Sequence, residues 1–247
     1  MSILIQLKEY LTEALFPSDG RCAICSRLLL FERAPFCYSC ISTVPYIRGR
    51  SCGKCGKLIG GGVNLCHDCT YVHHEYQQGS ALFSYTKIGR RIIQEIKFEG
   101  NRRLAHWVGQ EMGRSLLQTQ WAGGIHLILP VPLHEHRQRE RGFNQSLLLA
   151  RGMVEILELP MEDHLLRRIK DTPHQTDLTR QERERNTKGA FRVMDPEGVV
   201  GKNILLVDDV YTTGATINAC AKTLKAAGAK EIYFSVAAIG KDSGPIV

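Results

Sequence analysis

From about residue 79 onward the apolar positions follow two alternating rhythms. Residues 80–86, 125–131, 163–169, 190–193, 204–207 and 232–239 form short runs bounded by glycine, proline or charge, the pattern of buried strands. Between them, residues 88–98, 103–117, 145–157 and 216–227 repeat their apolar side chains every three or four positions and predict helices, with Asn144 placed to cap the third. Strands that alternate with helices predict an α/β fold with a mainly parallel sheet. Segment 170–189 interrupts this order. It is polar and charged without an apolar period, which predicts a mobile functional loop.

The chain ahead of residue 78 has a different character. In residues 1–16, Ile3, Leu4, Leu7, Leu11, Ala14 and Leu15 recur at helical spacing and predict a short amphipathic helix, packed on the body of the protein or on a partner or membrane surface. Lys8, Glu9 and Glu13 interrupt its apolar run, unlike a secretory signal, so a cytoplasmic location is expected. No stretch reaches the roughly 18 apolar residues that a membrane-spanning helix needs.

Residues 20–78 are punctuated by cysteine and glycine. Eight of the nine cysteines form four Cys-x-x-Cys pairs: Cys22/Cys25, Cys37/Cys40, Cys52/Cys55 and Cys66/Cys69, separated by eleven, eleven and ten residues. Each such turn aims two sulfurs at one point, and two turns complete a tetrahedral thiolate shell for zinc. Two closed, structural zinc sites are therefore expected. Sequential pairing of the knuckles is the expectation and interleaved pairing remains open. A disulfide framework would require an oxidising compartment. Cys220 lies inside a predicted helix, as a buried apolar thiol.

The stretch Ile204-Leu205-Leu206-Val207-Asp208-Asp209-Val210-Tyr211-Thr212-Thr213-Gly214-Ala215-Thr216 carries the most chemistry. An apolar strand ends at two acids, then a glycine- and threonine-bearing turn leads into a helix. Backbone amides at a helix start can surround a phosphate, and the helix dipole favours its charge. Asp208 and Asp209 suit vicinal sugar hydroxyls beside that phosphate. Such a pair of neighbours describes a ribose phosphate. The stretch is similar throughout to the 5-phosphoribosyl-1-pyrophosphate (PRPP) motif of type I phosphoribosyltransferases. The resemblance implies that Asp208 and Asp209 hold the ribose hydroxyls and that Thr212, Thr213, Gly214, Ala215 and Thr216 hold the 5′-phosphate, with magnesium on the pyrophosphate.

A second phosphate-binding candidate follows the run at 125–131, where Arg137, Arg139 and Arg141 alternate with other residues. Read as an extended segment, these arginines line one edge and offer guanidinium forks to pyrophosphate. The net charge of +7 points to anionic partners. Arg90, Arg91, Lys97, Arg102 and Arg103 crowd one region near Tyr85, Phe98 and Trp107, a combination that suits single-stranded DNA through phosphate contact and base stacking. It equally describes an ordinary helix surface with aromatic core residues.

Four cysteine knuckles, Pro130-Val131-Pro132-Leu133-His134, Arg141-Gly142-Phe143-Asn144-Gln145 and the late PRPP motif together resemble the competence protein F (ComF) family, which includes the gluconate-associated GntX proteins. The resemblance extends to Arg168, Thr172, Gln175, Leu178, Arg183, Asn186 and Gly189-Ala190-Phe191. It implies an N-terminal helix over 1–19, a double zinc ribbon over 20–78 and a phosphoribosyltransferase-like domain over 79–247, with 170–189 as a hood over the site. It also implies a role in natural transformation, in contact with DNA-uptake machinery at the inner membrane. A phosphoribosyl transfer to a base or amine, and a PRPP sensor without catalysis, are the alternatives.

Overall fold

The computed structural model describes residues 20–29, 32, 34–171 and 180–242. The helix expected over 1–16 and positions Thr172, Gln175 and Leu178 lie outside the described residues.

Two one-turn helices, α1 (Tyr38–Ile41) and α2 (His67–Tyr71), belong to the cysteine-rich part, each starting directly after a cysteine. The α/β part begins with β1 (Gln78–Ser84), α3 (Lys87–Lys97), α4 (Arg102–Leu117) and β2 (Leu127–Pro130). Then follow α5 (Glu135–Arg141), α6 (Gln145–Leu157), β3 (Leu166–Arg168), α7 (Arg180–Thr187) and β4 (Phe191–Val193). The last elements among the described residues are β5 (Asn203–Tyr211), α8 (Ala215–Ala226) and β6 (Glu231–Ile239).

Four strands form a parallel sheet in the order β1-β6-β5-β2, with β5 and β6 at its buried centre. Strands β3 and β4 make a separate antiparallel pair. The alternation along β5 sorts the core into two layers. Leu205 and Val207 pack with Ile92, Leu104, Met112 and Leu149 of α3, α4 and α6. Ile204 and Leu206 pack with Ile217, Cys220 and Leu224 of α8 and with Leu166 and Phe191. Helices α4 and α6 approach closely because both carry glycine at the crossing. A Cβ at Gly109 would stand 2.2 Å from the Leu149 carbonyl oxygen, and one at Gly152 would stand 2.3 Å from that of His106.

Each half of the cysteine-rich part covers a different face of the sheet. Cys22 and Cys37 belong to the first layer, where Phe36 packs edge-on to Trp107 with ring centroids 5.3 Å apart. Cys52, Cys55 and Cys66 belong to the second. The connecting chain lies along the free edge of β1, where the Ile47 amide donates to the Leu82 carbonyl at 2.9 Å and the Ser84 amide to that of Pro45 at 2.8 Å. That contact shields an edge strand that would otherwise expose unpaired backbone groups.

Three sequence expectations are corrected. The arginine segment is the helix α5, ended by Gly142 in a left-handed conformation, φ 78°. Segment 170–189 includes helix α7, whose sequence RQERERNT has no apolar stripe to betray it. Strand β5 does not stop at residue 207, since pairing with β6 continues through Asp208↔Val236 to Tyr211↔Ile239.

Candidate nucleotide-sugar site and metal centres

The strand β5 carries its acids into the protein rather than leaving them at its tip. Asp208 and Asp209 are both buried. Helix α6 begins beside them: Asn144 caps it by accepting from the Ser146 amide at 3.0 Å, and this fixes the first turn against β5. Ser146 Oγ then donates to Asp208 Oδ1 at 2.8 Å, and Gln145 Nε2 to Asp209 Oδ1 at 3.4 Å. The Asp209 amide also donates to Asp208 Oδ1, at 2.9 Å. The second oxygen of Asp209 forms an ion pair with Lys97 Nζ at the end of α3.

Two adjacent buried carboxyls divide into different charge states. Burial, reinforced by the charge of Asp209, pushes Asp208 up to about 7. Burial also disfavours the Asp209 anion, but Lys97 outweighs it and holds that carboxyl below its ordinary range. Around the pair stand further cations. Arg141 Nη1 donates to Gln145 Oε1 at 2.5 Å, and the half-buried Arg168 lies within electrostatic reach of Asp208. Burial lowers both guanidinium groups from their usual value, while the carboxylates oppose that shift.

After Tyr211 the chain turns at Thr212 and Thr213 and enters α8 through Gly214, φ 80°. Glycine adopts this left-handed conformation at little cost, and residues 210–217 line a shallow hollow at the turn. Thr213 Oγ1 accepts from the Ala215 amide at 3.4 Å, while Thr212, Thr213, Ala215 and Thr216 remain partly exposed. The acid pair, the turn and the helix start are thus contiguous.

The other candidate residues divide. In a helix, positions four apart share a face and positions two apart do not. Arg137 and Arg141 are partly enclosed, with Arg137 Nε 3.8 Å from Asp171 Oδ1, whereas Arg139 is exposed. Arg90 and Arg91 lie on the outer face of α3, Arg90 over the Tyr85 ring at 5.5 Å and Arg91 donating to the Ala23 carbonyl at 3.3 Å. Arg102 is exposed. Arg103 donates to the Glu32 carbonyl at 2.8 Å, and Trp107 packs on Phe36. Lys97 belongs beside the acids rather than with this outer group. Sequence reasoning did not assign Gln145, Ser146 or Arg168 to the site. The segment Arg141-Gly142-Phe143-Asn144-Gln145 carried the signal for Gln145.

The cysteines assemble in sequential pairs: Cys22, Cys25, Cys37 and Cys40 in one cluster, and Cys52, Cys55, Cys66 and Cys69 in the other. Sulfurs of Cys25 and Cys37 lie 3.7 Å apart and those of Cys55 and Cys66 lie 3.6 Å apart. A disulfide needs about 2.05 Å. Tetrahedral zinc with bonds of about 2.3 Å places its sulfurs about 3.8 Å apart, so both thiolate sets fit zinc and leave no open position. Beside the second set, Lys57 Nζ and Asp68 Oδ2 form a buried ion pair at 2.6 Å.

These features define an α/β phosphoribosyltransferase-type protein carrying a double zinc ribbon. The Phosphoribosyl transferase domain family matches residues 143–245, and the Double zinc ribbon domain family matches residues 11–70. Competence protein F of Haemophilus influenzae is 30% identical over 228 residues, covering 86% of this chain and 93% of that one. DNA utilization protein YhgH of Escherichia coli K12 is 28% identical, over 86% and 94% of the two chains. Competence protein ComFC of Bacillus subtilis is 28% identical, over 76% and 77%. The chain belongs to the competence protein F family.

Proposed function

We propose that this protein binds PRPP with magnesium at the β5–α8 turn and single-stranded DNA on the outer face of α3, and that it works in the cytoplasm in the uptake and use of incoming DNA. The observation that carries the PRPP reading is the buried Asp208–Asp209 pair, set directly before a helix start and faced by Lys97, Arg141 and Arg168. One patch accepts hydrogen bonds and its neighbour donates them, which matches a sugar joined to phosphates. The carboxylates would take ribose hydroxyls, and residues 212–216 the 5′-phosphate. Lys97 and Arg141 would meet the pyrophosphate, with Arg137 at the rim.

On ligand entry Lys97 turns from Asp209 to a pyrophosphate oxygen, and Asp209 accepts a ribose hydroxyl in its place. The hydroxyl keeps the buried Asp209 carboxylate hydrogen-bonded, while the Lys97 ammonium meets the new negative charge of the ligand. Asp208 and Asp209 would be the carboxylates to help hold magnesium, which would supply charge neutralisation to the pyrophosphate oxygens. In a thermal melt, PRPP and magnesium at 100 times Kd should add about 2.7 kcal/mol of stability. An unchanged melting temperature at millimolar PRPP contradicts the reading.

The DNA reading rests on Arg90, Arg91 and Arg102, on the exposed Phe98 ring beside them, and on relatives whose names refer to competence and DNA utilization. Phosphate contacts release counterions, so affinity for an oligonucleotide should fall steeply with salt. Filter binding that detects no complex at low salt removes DNA contact from the proposal.

A further inference from the structure

The second zinc ribbon lies directly beneath the turn assigned to phosphate, and a run of contacts joins them. The ribbon sits on β1, where the Gly79 amide donates to the Lys54 carbonyl at 2.9 Å. It reaches α8 where the Glu75 amide donates to Asn218 Oδ1 at 2.7 Å. Cys52, Cys55 and Cys66 share one buried cluster with Tyr76, Tyr211, Ile217 and Phe234. Within it, Tyr76 and Tyr211 exchange a hydrogen bond between hydroxyls at 2.7 Å. The Tyr211 ring stacks on Phe234 at 5.0 Å, and Lys57, buried against Asp68, lies 5.9 Å from that ring. The Tyr211 hydroxyl then meets the turn itself, since a Cβ at Gly214 would stand 2.4 Å from it. The first ribbon packs on the opposite layer, with α3 and α4.

We infer that Tyr76 and Tyr211 are positioning residues: seated on the second zinc ribbon, their paired hydroxyls hold the Gly214 backbone so that the amides of residues 213–216 face the ligand phosphate. The affinity of that turn then depends on metal at Cys52, Cys55, Cys66 and Cys69 and is indifferent to metal at the first cluster. A single buried hydroxyl has few alternatives for its hydrogen bond, so loss of one partner leaves the other unpaired beneath Gly214. The turn relaxes to satisfy it. An enclosed aromatic cluster transmits this displacement because it is close-packed.

This inference rests on the PRPP reading for the ligand, but not for the geometry of the turn. The test compares the full zinc-loaded chain with Tyr76→Phe and Tyr211→Phe, which keep the rings and remove one hydroxyl each. Two measurements are made: 15N–1H amide shifts of residues 212–217, and calorimetric affinity for PRPP with magnesium. Both variants should move those amide resonances, retain two zinc ions per chain, and bind PRPP at least fivefold more weakly. Cys69→Ser should displace the same resonances, and Cys40→Ser should leave them in place. Amides unmoved in both tyrosine variants, or PRPP affinity within twofold of the parent, overturn the inference. A parent chain that fails to bind PRPP removes the ligand reading alone, and the amide shifts still decide whether the tyrosines hold the turn.

Discussion

Lys97 at the end of helix α3 is ion-paired with Asp209 in β5, one of the two central strands of the sheet, so one surface helix neutralises the most enclosed carboxylate of the candidate site. The pair is asymmetric, with Asp209 buried and Lys97 still a quarter exposed. Burial disfavours charge on both groups, and each holds the other ionised, while the exposed part of Lys97 lies on the side open to a ligand.

Removing that partner strands a buried charge. Lys97→Met should cost about 3–5 kcal/mol in denaturant unfolding, the usual consequence of an unpaired interior ion. Lys97→Met/Asp209→Asn should recover most of the loss. It should still bind PRPP at least tenfold more weakly than the parent, because both groups belong to the ligand site. A double variant as unstable as the single one contradicts the pairing account.

Asp208 gives the protein a particular pH profile. Its folded pKa, near 7, lies above its value of 3.8 in an unperturbed chain. A carboxyl of this kind contributes stability that is fully present below about 4 and is lost as pH rises through about 7. Asp209 shifts the other way, so its contribution is lost only as pH falls below the ordinary carboxylate range. Melting temperature measured between pH 5 and 8 should therefore carry a downward component that Asp208→Asn removes. Parallel profiles in parent and variant contradict the assignment.

Two zinc ions per chain are expected by metal analysis, and Cys25→Ser and Cys55→Ser should each reduce that number to one. Each site supplies an apparent ~10–16 kcal/mol of folding energy. Chelation should thus unfold the ribbons. Since Cys22 and Cys52 are buried in opposite layers of the core, it should also lower the melting temperature of the α/β part. A chelated chain that melts as before contradicts this coupling.

The glycine crossing of α4 and α6 tolerates no added methyl group. Gly152→Ala places a Cβ against the α4 backbone at His106, Gly109 and Gln110, and overpacking of this kind costs about 1–3 kcal/mol. Because α6 carries Gln145 and Ser146 at its start, the same variant should weaken PRPP binding. Unchanged stability in urea unfolding would show that the helices part easily.

What the sequence made legible was local. Helix α6 was read with its cap, since Asn144 and the apolar period both act within one turn. The spacing of the knuckles made two four-cysteine sites legible, but the choice of sequential over interleaved pairing comes from the fold, which brings Cys22, Cys25, Cys37 and Cys40 together. Strand β5 was read too short because the acids end its apolar run, whereas its length is set by pairing with β6. Helix α5 buries no residue, so its arginines gave no helical period and were read as extended. Lys97 was grouped with Arg90 and Arg91 because they are neighbours in sequence. Its pairing with Asp209 depends on how α3 lies across the sheet, and such long-range contacts leave no periodic trace.

Isothermal titration calorimetry of PRPP with magnesium into the parent chain and into Asp208→Asn/Asp209→Asn tests the central claim most directly. The predicted result is one PRPP bound per chain and at least a tenfold loss of affinity in the folded, zinc-loaded variant. No heat of binding to the parent, or equal binding by both proteins, would contradict it.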